Sequence, residues 1–134
     1  MTALQRCQLA PRYRRQYERL CERLDGLQSM IDTSAPPTDK ECTSGAHSVP
    51  DKIGEYVALS EDTREDMIQV RRRLRSIADM ISGYLDGLQR QVIHLHYIVG
   101  LSTRSIAARL DVSQSTVSRY KRQGEDVLQS IDIS

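Results

Sequence analysis

The chain has 134 residues, 39% hydrophobic and 4% aromatic, with a formal net charge of +1 at pH 7. That length allows one medium domain or a small domain with an extension, and near-neutrality excludes a general attraction to any polyanion. The cysteines, Cys7, Cys21 and Cys42, are odd in number and form no CxxC pair, which excludes a disulfide framework and a zinc knuckle. No apolar run is long enough to span a bilayer, and the arginine-rich start lacks the apolar stretch of a secretory signal. A cytoplasmic protein with no membrane partner is expected.

The small net charge conceals a strong asymmetry. Arg6, Arg12, Arg14, Arg15, Arg19 and Arg23 outweigh four acids in residues 1–33, and residues 34–66 hold eight acids against Lys40, Lys52 and Arg64. The remainder holds ten bases against six acids. A local polyanion footprint on an otherwise balanced protein has this pattern.

In chain order, Tyr13, Tyr17, Leu20, Leu24, Leu27 and Ile31 alternate spacings of four and three, which predicts a coiled-coil-like helix from about Arg12 to Asp32. Pro36, Pro37, Pro50, Gly45 and several hydroxyl residues then predict a flexible linker at about 33–50. A second apolar stripe follows in Ile53, Tyr56, Val57, Met67, Val70, Leu74, Ile77 and Ile81, with Ser60 and Thr63 weakening it midway. A break or fraying is expected near Ser60, and an end at Gly83. Residues 1–83 thus read as a helical hairpin arm, closed within one chain or paired between two as a homodimer. Its Arg71, Arg72, Arg73 and Arg75 form a basic run, ordinarily a solvated face.

From Leu85 the sequence runs LDGLQRQVIHLHYIVGLS. Asp86 and Gln89 have capping-box spacing, Leu88, Val92 and Leu95 share one face, and Gly100 suits a left-handed exit before Ser102 caps the next helix. His94 and His96 stand two apart on a helix and point to nearly opposite sides, so no metal site is expected of them.

Leu101–Arg122, LSTRSIAARLDVSQSTVSRYKR, has the spacing of a helix-turn-helix. Counting from Thr103, Ile106 and Leu110 face a core, and Ala107 sits where a second helix approaches closely. Asp111 falls at a turn that favours left-handed backbone, and Val112, Val117 and Tyr120 close the core. Ser113 is the expected N-cap of a recognition helix from about Gln114 to Gln123. Its outward positions, Gln114, Ser115, Ser118, Arg119 and Arg122, are all hydrogen-bonding. The major groove admits one helix and shows donors and acceptors that Gln and Arg read in bidentate fashion. Gln114, Ser115, Ser118 and Arg119 are therefore the expected base readers, Arg119 for guanine and Gln114 for adenine. Ser102, Thr103, Arg104, Ser113, Lys121 and Arg122 are the expected backbone contacts. The tail adds Val127, Leu128 and Ile131 at helical spacing, suited to extending this helix past Gly124 and packing it on the arm.

Leu85, Arg90, Val92, Leu95, Tyr97, Gly100, Leu101, Ser102, Ile106, Ala107, Leu110, Val112, Ser113, Thr116 and Val117 together resemble region 4 of the bacterial sigma-70 family. That resemblance covers a bit over a quarter of the chain. It implies an 84–134 domain that binds double-stranded DNA near promoters, with RNA polymerase as a further partner. The sequence departs from the family pattern in three ways: Asp86 stands for a common Pro, His94 and His96 for basic residues, and Asp111 for a common Gly. No aromatic-rich basic segment like the promoter-melting region 2 is present, and Phe and Trp are absent. The chain looks more like the small phage-encoded regulators that join a helical N-terminal part to a region 4-like domain. The expectation is an all-α transcriptional regulator of the activator type, needing no cofactor. Two alternatives share the pattern: a small-terminase-type packaging adaptor and a helical interaction protein without DNA binding. No Gly-rich phosphate loop, carboxylate pair or nucleophile with a nearby base points to an enzyme.

Overall fold

The computed structural model of the chain describes residues 1–34 and 48–133. Within them the fold is all-α: α1 (Ala3–Cys7), α2 (Ala10–Ser34), α3 (Ser48–Tyr84), α4 (Gly87–Ile93) running into a π-helical turn (His94–Val99), α5 (Thr103–Leu110) and α6 (Gln114–Gln129). Residues 35–47 of the expected linker, with Pro36, Pro37 and Cys42, lie outside the described residues. The contacts group Met1–Arg15 with Arg71–Ser134 as one compact unit, and Gln16–Val70 as another.

In the Gln16–Val70 unit, α2 and α3 make the helical hairpin. Leu27 is buried, and Tyr17, Leu20, Leu24 and Ile31 are half-buried, while the arginines and acids between them are exposed. The expected interruption at Ser60 does not occur, because α3 is continuous. Ser60 and Thr63 are buried in the seam, and each hydroxyl donates to the carbonyl one turn back, Ser60 Oγ to Tyr56 O at 2.9 Å and Thr63 Oγ1 to Leu59 O at 2.7 Å. A hydroxyl satisfied by its own helix enters an apolar seam without a stranded donor. Val57, placed on the stripe by its spacing, is instead exposed, since Tyr56, Leu59 and Ser60 turn inward around it.

The other unit begins with α1, an element that the apolar periodicity does not reveal. Thr2 and Gln5 form a capping box: Thr2 Oγ1 accepts from Gln5 N at 3.2 Å, and Gln5 Oε1 accepts from Thr2 N at 2.8 Å. Pro11 falls in the first turn of α2, where a missing N–H costs nothing. Ala3, Cys7 and Ala10 are fully buried and pack with Ile77, Ile81, Leu85, Ile93, Tyr97 and Leu128. Small side chains at three successive inward positions let this segment come close to the others. Burial pushes the Cys7 thiol up to about 11, so it stays protonated. Ala3 N donates to Ile131 O at 2.8 Å, and an isolated antiparallel bridge pairs Thr2 with Asp132.

The expected capping box at the start of α4 is absent. Asp86 occupies the N-cap without a side-chain hydrogen bond, and Gln89 turns instead to Gln123, donating from Nε2 at 3.3 Å. The helix then widens by one residue at His94–Val99 and stops at Gly100, whose φ of 89° is left-handed.

Candidate nucleic-acid interface

Val92, Leu95, Ile106, Ala107 and Val117 are buried together, with Leu101, Leu110, Val112 and Tyr120 packed around them. This small core fixes α5 against α6. Ala107 is 6% exposed at their close approach, where a longer side chain has no room. Between the helices, Asp111 adopts φ 57° and ψ 48°, and Val112 N donates to Ala107 O at 3.1 Å. The left-handed residue reverses the chain within three positions, which lets so short a turn carry the second helix across the first.

Both helix starts are capped by serine. Ser102 Oγ accepts from Ser105 N at 3.2 Å, and Ser113 Oγ accepts from Thr116 N at 3.1 Å. The Ser113 hydroxyl also lies 2.7 Å from Thr116 Oγ1 and 3.1 Å from Ser115 Oγ, so Ser115 belongs to the capping cluster as well as to the surface.

Gln114, Ser115, Ser118, Arg119 and Arg122 are all exposed. Ser115, Arg119 and Arg122 fall on the side of α6 away from Val117 and Leu128, Ser118 flanks them, and Gln114, three residues before Val117, stands apart at the exposed start of the helix. Ser115, Ser118, Arg119 and Arg122 line an open groove with Gln123 and Asp126. These last two lie one and two turns beyond Arg119, at spacings of four and seven. The same periodicity that finds Ser115 and Arg122 finds Gln123 at the end of the expected helix, and Asp126 once the helix is extended past Gly124. Arg119 lies with its guanidinium 5.3 Å from the Tyr120 ring centroid, a cation–π contact worth about 0.5–1 kcal/mol at an exposed site. The contact restricts a long side chain before any ligand arrives.

The expected backbone group is more scattered. Ser102, Arg104, Ser113 and Arg122 are exposed, whereas Thr103 and Lys121 are half-buried. Lys121 stands at the flank of α6, close enough for its charge, after burial, to hold the His96 pKa below its ordinary value. His94 is lowered too, by burial and then by Arg90. Among the described residues no group of three His, Cys, Asp or Glu side chains is arranged to hold a metal ion. No helix of those residues is long and apolar enough to cross a membrane.

Two further groups lock this arrangement. Arg14 Nε donates to Tyr97 O at 3.1 Å, with its guanidinium lying over Gly100, where a Cβ would collide with it. Tyr97 donates its hydroxyl to Glu125 Oε2, which joins the π-helical turn to the middle of α6. Burial, then this bond, raises the phenol's pKa above its ordinary value. At Gly124, midway along the part of α6 that runs on to Gln129, an added Cβ would sit 2.7 Å from Ile93 Cγ1, so glycine is what lets α6 pass this close to Ile93.

A tight left-handed turn, two serine caps and an outward polar helix face are now joined by a match to a known family. The family model Sigma-70, region 4, matches residues 84–129. This segment is a sigma region 4-like helix-turn-helix. The match begins at the end of α3 and stops where α6 does. No curated protein and no solved structure matches the chain.

Proposed function

We propose that this chain is a sequence-specific regulator of transcription that reads duplex DNA with α6, residues 84–134 forming its DNA-binding part and residues 1–83 its arm. The observation that carries the reading is the exposed face of Gln114, Ser115, Ser118, Arg119 and Arg122, which holds only hydrogen-bonding side chains and stands clear of the core. Arg119 reads guanine and Gln114 adenine. Ser115 and Ser118 are short enough to let the backbone approach the bases. Ser102, Thr103, Arg104, Ser113, Lys121 and Arg122 take phosphates, aided by the amide ends of α5 and α6.

The regulator is of the sigma-like activator kind carried by phages and prophages, and RNA polymerase is its protein partner. Support comes from the joining of a region 4-like segment to a helical N-terminal part in a sequence without Phe or Trp. One helix reads only a few base pairs, so a homodimer through the arm supplies the specificity that a single copy lacks. Met30, Val57 and Ile68, exposed on the hairpin, are available apolar contacts for it.

Recovery of genomic fragments crosslinked to the protein tests this function. Fragments clustered just upstream of a set of operons are expected, and an even spread over the genome contradicts regulation. Mass in solution tests the assembly: a dimer is expected, whereas a ring of many subunits indicates a packaging adaptor.

A further inference from the structure

The arginines of α3 belong neither to the two apolar clusters nor to the groove on α6. Among the described residues the only ion pair within 4.0 Å joins the Met1 amino group to Asp132, so Arg71, Arg72, Arg73 and Arg75 have no carboxylate partner at that distance. Arg73 is engaged otherwise, its guanidinium 5.7 Å from the Tyr13 ring centroid. Leu74, Ile77 and Ile81 give α3 its inward face in this unit. Arg71 and Arg75, both exposed and one turn apart, stand on the other side, and the half-buried Ala78 and exposed Ser82 continue their line at helical spacing. Asp79, flanking that line, is the single acid in this stretch of α3, against four arginines.

The line ends at the helix-turn-helix. Ser82 lines a groove of about 350 Å³ with Arg90 and His94 of the preceding helical segment and Arg109 in the last turn of α5. The first helix of a helix-turn-helix is the one that crosses the DNA backbone, so α3 runs up beside an element already placed at phosphates. From Arg71 to Ser82 the helix rises about 16 Å. Phosphates of one strand advance about 3.4 Å each, so this length spans four or five of them.

We infer that Arg71 and Arg75 form a second, sequence-independent DNA contact, gripping phosphates of the duplex that flanks the segment read by α6. This rests on the proposed reading of α6 and extends it to the arm. The chemistry favours phosphate over an acidic protein surface. The line from Arg71 to Ser82 offers two guanidinium groups and a hydroxyl, and its one apolar side chain, Ala78, is too small and too sunken to anchor a protein partner.

The test titrates the full chain with a long mixed-sequence duplex and with a short one of about one helical turn, at a series of salt concentrations. For the R71Q/R75Q double variant on the long duplex, the slope of log affinity against log salt is expected to shrink by about 1.8, two phosphates' worth. The R71K/R75K variant, which keeps both charges, restores most of it. On the short duplex wild type and R71Q/R75Q are expected to bind alike. Both arginines are exposed, and unchanged thermal unfolding of the variants separates contact from folding. An unaltered slope on the long duplex, with wild type still binding in a salt-dependent manner, overturns the second contact and leaves the reading of α6 standing. Absence of salt-dependent binding by wild type overturns both, and loss of an acidic protein partner with DNA affinity intact makes the stripe a protein surface.

Discussion

Asp111 carries the sharpest backbone demand in the helix-turn-helix, being the sole non-glycine with positive φ among the described residues. A side chain in that region costs roughly 1–2 kcal/mol, relieved in part by the short polar group of Asp. Asp111→Gly is therefore expected to raise stability by about 1 kcal/mol, read as an increased urea midpoint with DNA affinity unchanged. Gly124 presents the opposite case. A Cβ there meets Ile93 at 2.7 Å with a helix behind it, so Gly124→Val is expected to cost about 1–3 kcal/mol or more by overpacking. Chemical denaturation measures that loss, and a neutral result would mean that α4 and α6 can part without penalty.

At the scale of elements, apolar periodicity makes the two long helices and the helix-turn-helix legible in the sequence. The six positions Ile106, Ala107, Leu110, Val112, Val117 and Tyr120 are spaced by the geometry of two short crossing helices, and they cluster as that geometry requires. Ser102, Asp111 and Ser113 are legible for a related reason: each serine caps an amide three residues on, and Asp111 meets a left-handed demand of its own backbone. Contacts distant in sequence leave no such trace. Arg14 over Gly100, Gln89 turning from its own cap to Gln123, and the π-helical turn each depend on what packs against the element. The case of α1 is different, since Thr2 and Gln5 carry a legible capping box. Its place in the core is not legible, because Ala3, Cys7 and Ala10 make too short a stripe to stand out. Removal of residues 1–9 should therefore uncover Ile93, Tyr97 and Leu128 and cost on the order of 2–5 kcal/mol. Thermal unfolding of the truncated chain reads this out, and an unchanged midpoint would mean that the helix-turn-helix needs nothing from α1.

For the molecule as a whole, the two half-buried histidines link folding to pH. Burial and nearby cations, Arg90 for His94 and Lys121 with Arg14 for His96, hold both pKa values below the ordinary 6.5, with a hydrogen bond to the Leu101 backbone and then Glu125 partly opposing at His96. The unfolded chain thus takes up protons near pH 6.5 while the folded chain takes them up only lower, so stability rises with pH across that interval. Unfolding free energy should be level above about pH 7.5 and should fall as pH drops through about 6.5. Urea midpoints at the two ends of that range measure the slope, and His96→Gln should flatten it. A slope of opposite sign would mean that Glu125 outweighs burial and Lys121 at His96.

The outward face of α6 is where the account stands or falls, and selection from a random duplex pool tests it most directly. Wild type is expected to enrich a short motif. Arg119→Ala should lose preference at one base pair with a cost of about 1–3 kcal/mol, while Lys121→Ala weakens every sequence alike. A pool that emerges without a motif, or the same motif recovered with Arg119→Ala at undiminished affinity, would contradict base reading by this helix.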